Sequence, residues 1–269
     1  MKIHGTAKGG ALSKKDFGVA FSSNGGGGFS DDTDLKVYWK FNETSGDIIN
    51  ASEATASLGS AADLQVTGGT YNQDVAPFNY SLQFDGTDDF CAAGTSASQF
   101  NFLHNGEKSS IVYWVRYQGT IDTNEMILDN HDKSDESGKY GLDIRGYPND
   151  SILYMISKGV ANEQVVQANT TDLYIPDNTA TYMYAWTWDE SLGSANLKVT
   201  RDAANGENFN KDQSSVTNDA TRPLIIGARS GGTTGFLEAY LAEMSIWNRI
   251  LSPTEITELY NGGNGLALY

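Results

Sequence analysis

The chain has 269 residues, 39% of them hydrophobic and 11% aromatic, which is enough apolar surface for a real core and too much for wholesale disorder. Its 34 acidic residues against 18 basic ones give a formal net charge of -16. That charge repels phosphate backbones and anionic lipid, so nucleic acid is set aside as a partner and so is membrane insertion. The single cysteine, Cys91, excludes an intrachain disulfide and lies in the apolar run Phe90–Ala93, where it reads as a small buried hydrophobe.

Residues 1–34 stand apart as an N-terminal arm and hinge. The segment is basic and Gly/Ala-rich at first, then passes through Ser22, Ser23, Asn24 and the glycine run Gly25–Gly28 to Asp31 and Asp32. Charges interrupt its apolar residues, so it lacks the continuous run of a secretory signal or a membrane span. Within it, Asp16, Phe17, Gly18, Val19, Ala20 and Phe21 place Phe17, Val19 and Phe21 on one face at strand spacing. This hexapeptide can add as a strand to a partner subunit, while the glycine-rich composition fits an unstructured leader as well; both readings stand.

From Leu35 the chain becomes a succession of short apolar runs between Gly, Asn, Asp and Ser clusters. Strands are expected over Leu35–Phe41, Ser81–Phe84, Ser109–Tyr117, Met126–Asp129, Lys139–Ile144, Ile152–Ser157, Thr181–Trp188, Asn196–Arg201, Pro223–Ala228 and Phe236–Trp247. So many strands require two packed sheets, and residues 35–269 therefore read as an all-β, antiparallel two-sheet sandwich. Tyr182, Tyr184, Trp186 and Trp188 recur at every second position, as a core face or as a sugar-lining row, with core the simpler account. One helix is well specified: Ser252 as N-cap, Pro253 in the first turn, Glu255 at the capping-box position, Ile256, Leu259 and Tyr260 on one face, and Gly262 as the stop. Leu266–Tyr269 can return as an edge strand.

Three segments together carry a family resemblance. They are Tyr38–Gly46, the hairpin Ser81–Phe90 with its Asp85-Gly86-Thr87-Asp88-Asp89-Phe90 core, and the closing Leu241–Ser252 leading into the helix and Tyr260, Asn261, Gly262, Gly263. In these the chain resembles the laminin-G-like, concanavalin A-like lectin-glucanase jelly-roll domains found in phage and bacterial surface proteins. The resemblance spans the whole predicted sandwich. It implies a jelly roll with one short C-terminal helix and a structural calcium ion (Ca2+) held by Glu243, where the pattern usually has Asp, with Asp85 and Asn42 as partners. Hairpin capping by Asp85 and a solvent-facing Glu243 is an equal alternative.

Chemistry is thinly signalled. A glycosidase on this scaffold needs two carboxylates across a sugar, and no Glu-x-Asp-x-Glu run occurs; Glu238 and Glu243 would face opposite sides of a continuous strand. His4, His104 and His131 assemble no triad or zinc pattern, and no phosphate-binding glycine motif is present. A non-enzyme is expected. The first functional reading is a virion structural or decoration protein of a phage, assembling with other virion subunits or copies of itself through the arm and displaying the sandwich at the particle surface. The second is an extracellular or cell-surface carbohydrate-binding adhesin, with glycan contacts from the loop residues Asn130, His131, Asp132, Tyr147 and Asn149. A polysaccharide hydrolase or lyase ranks third.

Overall fold

The computed structural model describes residues 29, 31–51, 58–94, 97–106, 108–121, 123–131, 140–148, 151–158, 164–169, 179–210, 220–229 and 231–268. The arm residues Asp16–Phe21, and Asp132 and Asn149, lie outside them. All ten expected strands form: β1 (Leu35–Trp39), β3 (Leu82–Asp85), β5 (Lys108–Tyr117), β6 (Glu125–Asp129), β7 (Tyr140–Tyr147), β8 (Ser151–Lys158), β10 (Tyr182–Asp189), β11 (Leu197–Arg201), β13 (Leu224–Ile226) and β14 (Glu238–Trp247). Four more lie between them: β2 (Leu64–Thr67), β4 (Phe90–Ala93), β9 (Gln164–Asn169) and β12 (Asn205–Phe209). The helices are α1 (Phe102–Asn105) and α2 (Pro253–Tyr260), and among the described residues neither is long and apolar enough to cross a membrane.

Pairing is antiparallel throughout and gives two sheets. The first runs β1-β14-β5-β10-β11-β12, with β3 also on β14; the second runs β2-β4-β13-β6-β7-β8-β9. Their inner faces close over one core. Ile111, Tyr113, Val115 and Tyr117 of β5 and Tyr184, Trp186 and Trp188 of β10 point into it from the first sheet, and Leu142, Ile144, Tyr154 and Ile156 from the second. Tyr154 stacks on Trp186 at 5.1 Å and Tyr113 on Tyr184 at 5.8 Å. The alternating aromatics of β10 are therefore core, with Trp186 and Trp188 each 1% exposed.

The central strands of the first sheet are apolar on both faces because both are covered. Val112 and Trp114 of β5, Met183 and Ala185 of β10, and Tyr38, Ala242 and Trp247 meet Leu251, Ile256, Leu259 and Leu268 in a second, smaller core under α2. Each fully buried side chain of this size stabilises the fold by about 1.5–3 kcal/mol. Tyr260 lies flat on Trp114, with centroids 5.8 Å apart and planes 9° from parallel. The helix begins as its sequence dictates: the Ser252 side chain accepts from Glu255 N, and Ser252 N donates to the Glu255 carboxylate at 2.7 Å. It ends at Tyr260, where Asn261 (φ 48) and Gly262 (φ 62) both take the left-handed conformation, so the stop falls at Gly262 and the residue before it. Leu266–Leu268 form no strand; Leu268 N donates instead to the Tyr38 hydroxyl at 3.2 Å.

Arg249 clasps the entry of the chain to this helix. Its Nε donates to Thr33 O at 2.7 Å and Nη2 to Asp31 O at 2.8 Å and to Glu255 at 2.6 Å, while Phe29 packs on Trp247 at 5.3 Å. Part of the expected hinge is thus bound into the domain. Ser252→Ala removes the cap acceptor and should lower stability by about 1 kcal/mol in denaturant unfolding, whereas Thr254→Ala should leave it nearly unchanged.

Candidate functional site

The first sheet is organised by how β14 shares its edge. On one side β14 pairs with β5; on the other, Glu238–Leu241 pair with β3 and Met244–Trp247 with β1. Where the two partners change over, the register against β5 slips between Ala242 and Ser245, and Glu243 occupies the bulge with φ 50. Leu241 and Met244 both remain in the inner core, which leaves Glu243 on the outer face beside Ala242. The sequence expectation for Glu238 and Glu243 thus fails for a local reason: the bulge returns both to one face.

Glu243 is 5% exposed. Its carboxylate accepts hydrogen bonds from the hydroxyl of Tyr38, on β1, and of Tyr80, just ahead of β3, and Glu243 N donates to Lys40 O at 3.3 Å. Burial holds the Glu243 carboxyl above its ordinary range, although both tyrosine hydrogen bonds and the charge of Lys40 pull it down. Burial also pushes both tyrosines up, reinforced by the carboxylate they face.

The calcium set does not converge. Asp85 lies opposite Glu238 in the β3–β14 register, five positions from Glu243, or about 17 Å at ~3.4 Å per residue. Asn42 is exposed in the loop after β1. With its oxygens engaged by two hydroxyls, Glu243 is a fastener between strands, and these three residues do not fit a shared cation. Asp85 instead belongs to a turn in which one carboxylate oxygen from each of Asp85, Asp88 and Asp89 lies within 4.8 Å of the others. Turn geometry accounts for much of this: Asp89 accepts from Gly69 N at 2.5 Å and Asp85 N at 2.9 Å, and Asp85 from Thr87 N at 2.8 Å.

Of the proposed loop ligands, the three that are described, Asn130, His131 and Tyr147, do not meet. Asn130 and His131 are 0% and 2% exposed, with Asn130 Oδ1 accepting from Leu142 N at 2.8 Å and His131 N donating to Asp129 at 2.6 Å. A Cβ on Gly141 would lie 2.6 Å from His131 Cα, so β6 and β7 approach backbone to backbone here and exclude a ligand between them. Tyr147 lies at the other end of β7, six positions from Gly141 or about 20 Å at ~3.4 Å per residue, across from Ser151. Asp129 and Asp143 are cross-strand partners, but each is at most 2% exposed and Asp143 faces Arg145 at 3.6 Å, so they are not a carboxylate pair in an open cleft.

What the fold does assemble is a platform at the Glu238 end of β14, beyond the reach of α2, that no described element covers. Gln83, Tyr240 and Arg116 are register partners across β3, β14 and β5. The next row holds Asp85 and Glu238, and Gln118 N donates to Glu238 O at 3.0 Å. The Arg116 guanidinium lies over the Tyr240 ring at 4.4 Å. Gln83 Nε2 donates to Gln118 Oε1 at 2.8 Å, and Gln118 Nε2 to Phe84 O at 2.9 Å. Gln83, Arg116, Gln118 and Tyr240 are half-buried; Asp85 and Glu238 are exposed. Sequence reasoning missed this group. Glu238 and Tyr240 alternate on β14, and Arg116 and Gln118 do so at the end of β5 and just beyond it, but only the strand order brings the two pairs side by side.

Two antiparallel sheets with this connectivity define a lectin-like jelly roll. The model of the concanavalin A-like lectin/glucanases superfamily (Laminin_G_3) matches residues 84–257, and the chain belongs to that family. The fold is also similar to the binding domain of Paraclostridial Mosquitocidal Protein 1 (TM-score 0.61, 15% identity, 86% of this chain and 52% of that one). It is similar to the binding domain of Botulinum Neurotoxin DC in complex with SialylT (TM-score 0.58, 12% identity, 86% and 52%). A third likeness is to the Trypanosoma rangeli sialidase in complex with 2,3-difluorosialic acid (TM-score 0.59, 13% identity, 87% and 33%). The chain thus spans about half the length or less of these proteins, and no curated protein matches it in sequence.

Glu243 yields a signed pH prediction. A carboxyl raised in the folded state stabilises fully below its ordinary value of 4.5, and that contribution is lost as pH rises through the raised value. The melting-temperature difference between wild type and Glu243→Gln should therefore shift in favour of wild type as pH is lowered from neutral towards 4.5. A flat difference would mean that the carboxyl is not perturbed. Glu243→Ala, which strands two tyrosine hydroxyls, should cost about 2 kcal/mol or more at any pH.

Proposed function

We propose that this domain is a glycan-recognising, lectin-like adhesin module, and that the Gln83–Tyr240–Arg116 platform is its contact surface. The observation that carries this is the division of one sheet face: the Trp247 half is sealed by α2, and the Tyr240 half is left open with an aromatic ring, a guanidinium and two amides in adjacent register. An aromatic ring packs against the C–H face of a sugar, while amide and guanidinium groups pair with its hydroxyls. Glu238 and Asp85 at the margin, in a chain of net charge -16, favour neutral sugars over anionic ones. Family membership and the saccharide ligands named for two structural neighbours support a sugar ligand in general; those two ligands are sialic-acid compounds and anionic, so the preference for neutral sugars rests on the local charge alone.

A binding role is preferred to catalysis because, among the described residues, Asp129 and Asp143 are sealed in a sheet and Asp85 and Asp89 hold a turn, so that Glu238, exposed opposite Asp85, faces a carboxylate already committed to that turn. The phage-decoration reading draws on composition and on docking through Asp16–Phe21, which lie outside the described residues, so glycan recognition has the stronger support. Such a module would act outside the cell or on its surface.

A glycan array probed with the whole chain should show retention of neutral oligosaccharides. Tyr240→Ala and Arg116→Ala should each weaken the best hit about tenfold, equivalent to ~1.4 kcal/mol. An array without hits, or hits indifferent to both substitutions, would remove the platform from consideration, and release of cleaved sugar would replace binding with catalysis.

A further inference from the structure

A second concavity lies on the same sheet but on the far side of α2 from the platform, over β10 and β11. Its volume is about 210 Å³. Thr187, Lys198 and Thr200 line it from the sheet, and Ile250, Pro253 and Ile256 from α2 and the turn ahead of it. Register explains the floor: Thr187 and Lys198 are direct partners across β10 and β11, and Thr200 follows Lys198 on the same outward face, opposite Ala185. Gly206 across from Thr200 leaves that flank without a side chain.

Three properties of this cleft specify a ligand. Its α2 side is mainly aliphatic, from Ile250, Leu251, Pro253 and Ile256 with Ser252 and Thr257 among them, and its volume exceeds the roughly 150 Å³ in which an engineered apolar cavity admits benzene, so it can hold one small ring or a short branched chain. Among the residues that line it only Lys198 is charged; it is exposed and forms no ion pair among the described residues, in a protein carrying 34 acidic side chains. Thr187, 6% exposed, and Thr200 line its floor, so that their hydroxyls can meet a ligand oxygen there. The nearby Glu255 carboxylate does not oppose an anion strongly, because Arg249 neutralises it at 2.6 Å.

We propose that this cleft is a binding site for a small organic carboxylate with an apolar body, the acid group meeting Lys198 and the threonine hydroxyls and the body resting under Ile250, Pro253 and Ile256. The site is separate from the sugar platform, and either can fail without the other.

Phenylacetate and its uncharged counterpart phenylacetamide are suitable probes, titrated calorimetrically into the intact chain. Phenylacetate should bind saturably; phenylacetamide should bind about tenfold more weakly, and Lys198→Ala should weaken phenylacetate by a similar factor, as loss of one charge-assisted hydrogen bond implies. Thr200→Trp, which fills the cleft from a partly exposed position, should abolish binding while thermal unfolding stays cooperative. Absence of saturable phenylacetate binding, binding that survives Thr200→Trp, or equal affinity for the amide would each overturn the assignment.

Discussion

A carboxylate taken out of water must be met by donors, and in this protein that requirement fixes how three strands meet. Glu243 sits in the one position of β14 where β3 ends and β1 takes over. It receives one tyrosine hydroxyl from each side of the junction, and the Tyr38 hydroxyl in turn accepts from Leu268 N. Without the bulge β14 could not serve two partners along one edge while keeping both Leu241 and Met244 in the core. The desolvation this entails is visible in the raised carboxyl, a cost that the two hydroxyls offset in part.

From that junction the outer face of the first sheet divides. Towards Trp247 the residues are apolar and sealed by α2; towards Glu238 they are polar and open, with Tyr240 and Arg116 stacked in neighbouring strands. The division is written in the side chains on each side of Ala242: its β5 partner is Trp114, whereas Tyr240 pairs with Arg116. Structure and proposed recognition are therefore two halves of one surface.

The fold was largely legible because its signals are local. Alternating apolar residues in β5, β10 and β14, and the Ser252–Glu255 capping box, declare their conformations within a few residues. Of the four strands beyond the ten expected, β12, with the sequence NGENF, lacks any apolar alternation and forms as the edge partner of β11. The candidate sites were much less legible. The resemblance placed Glu243, Asp85 and Asn42 around one ion, but the bulge and the strand register that separate them depend on contacts between distant segments. Asn130 and His131 looked like an exposed polar loop; the close approach of Gly141 instead buries them. Gln83, Arg116 and Tyr240 carry no motif at all, and only pairing across three strands makes them a group.

The stacking of Phe29 on Trp247, with Arg249 gripping Asp31 and Thr33, fixes where the chain enters the sandwich. Trp247 is seven positions along β14 from Tyr240, about 24 Å at ~3.4 Å per residue. A copy held through the segment ahead of Phe29 would thus be gripped at one end of the strand and offer its platform at the other. In an array of such copies the spacing of the attachment points, more than the strength of any single contact, would govern how many platforms engage a surface at once.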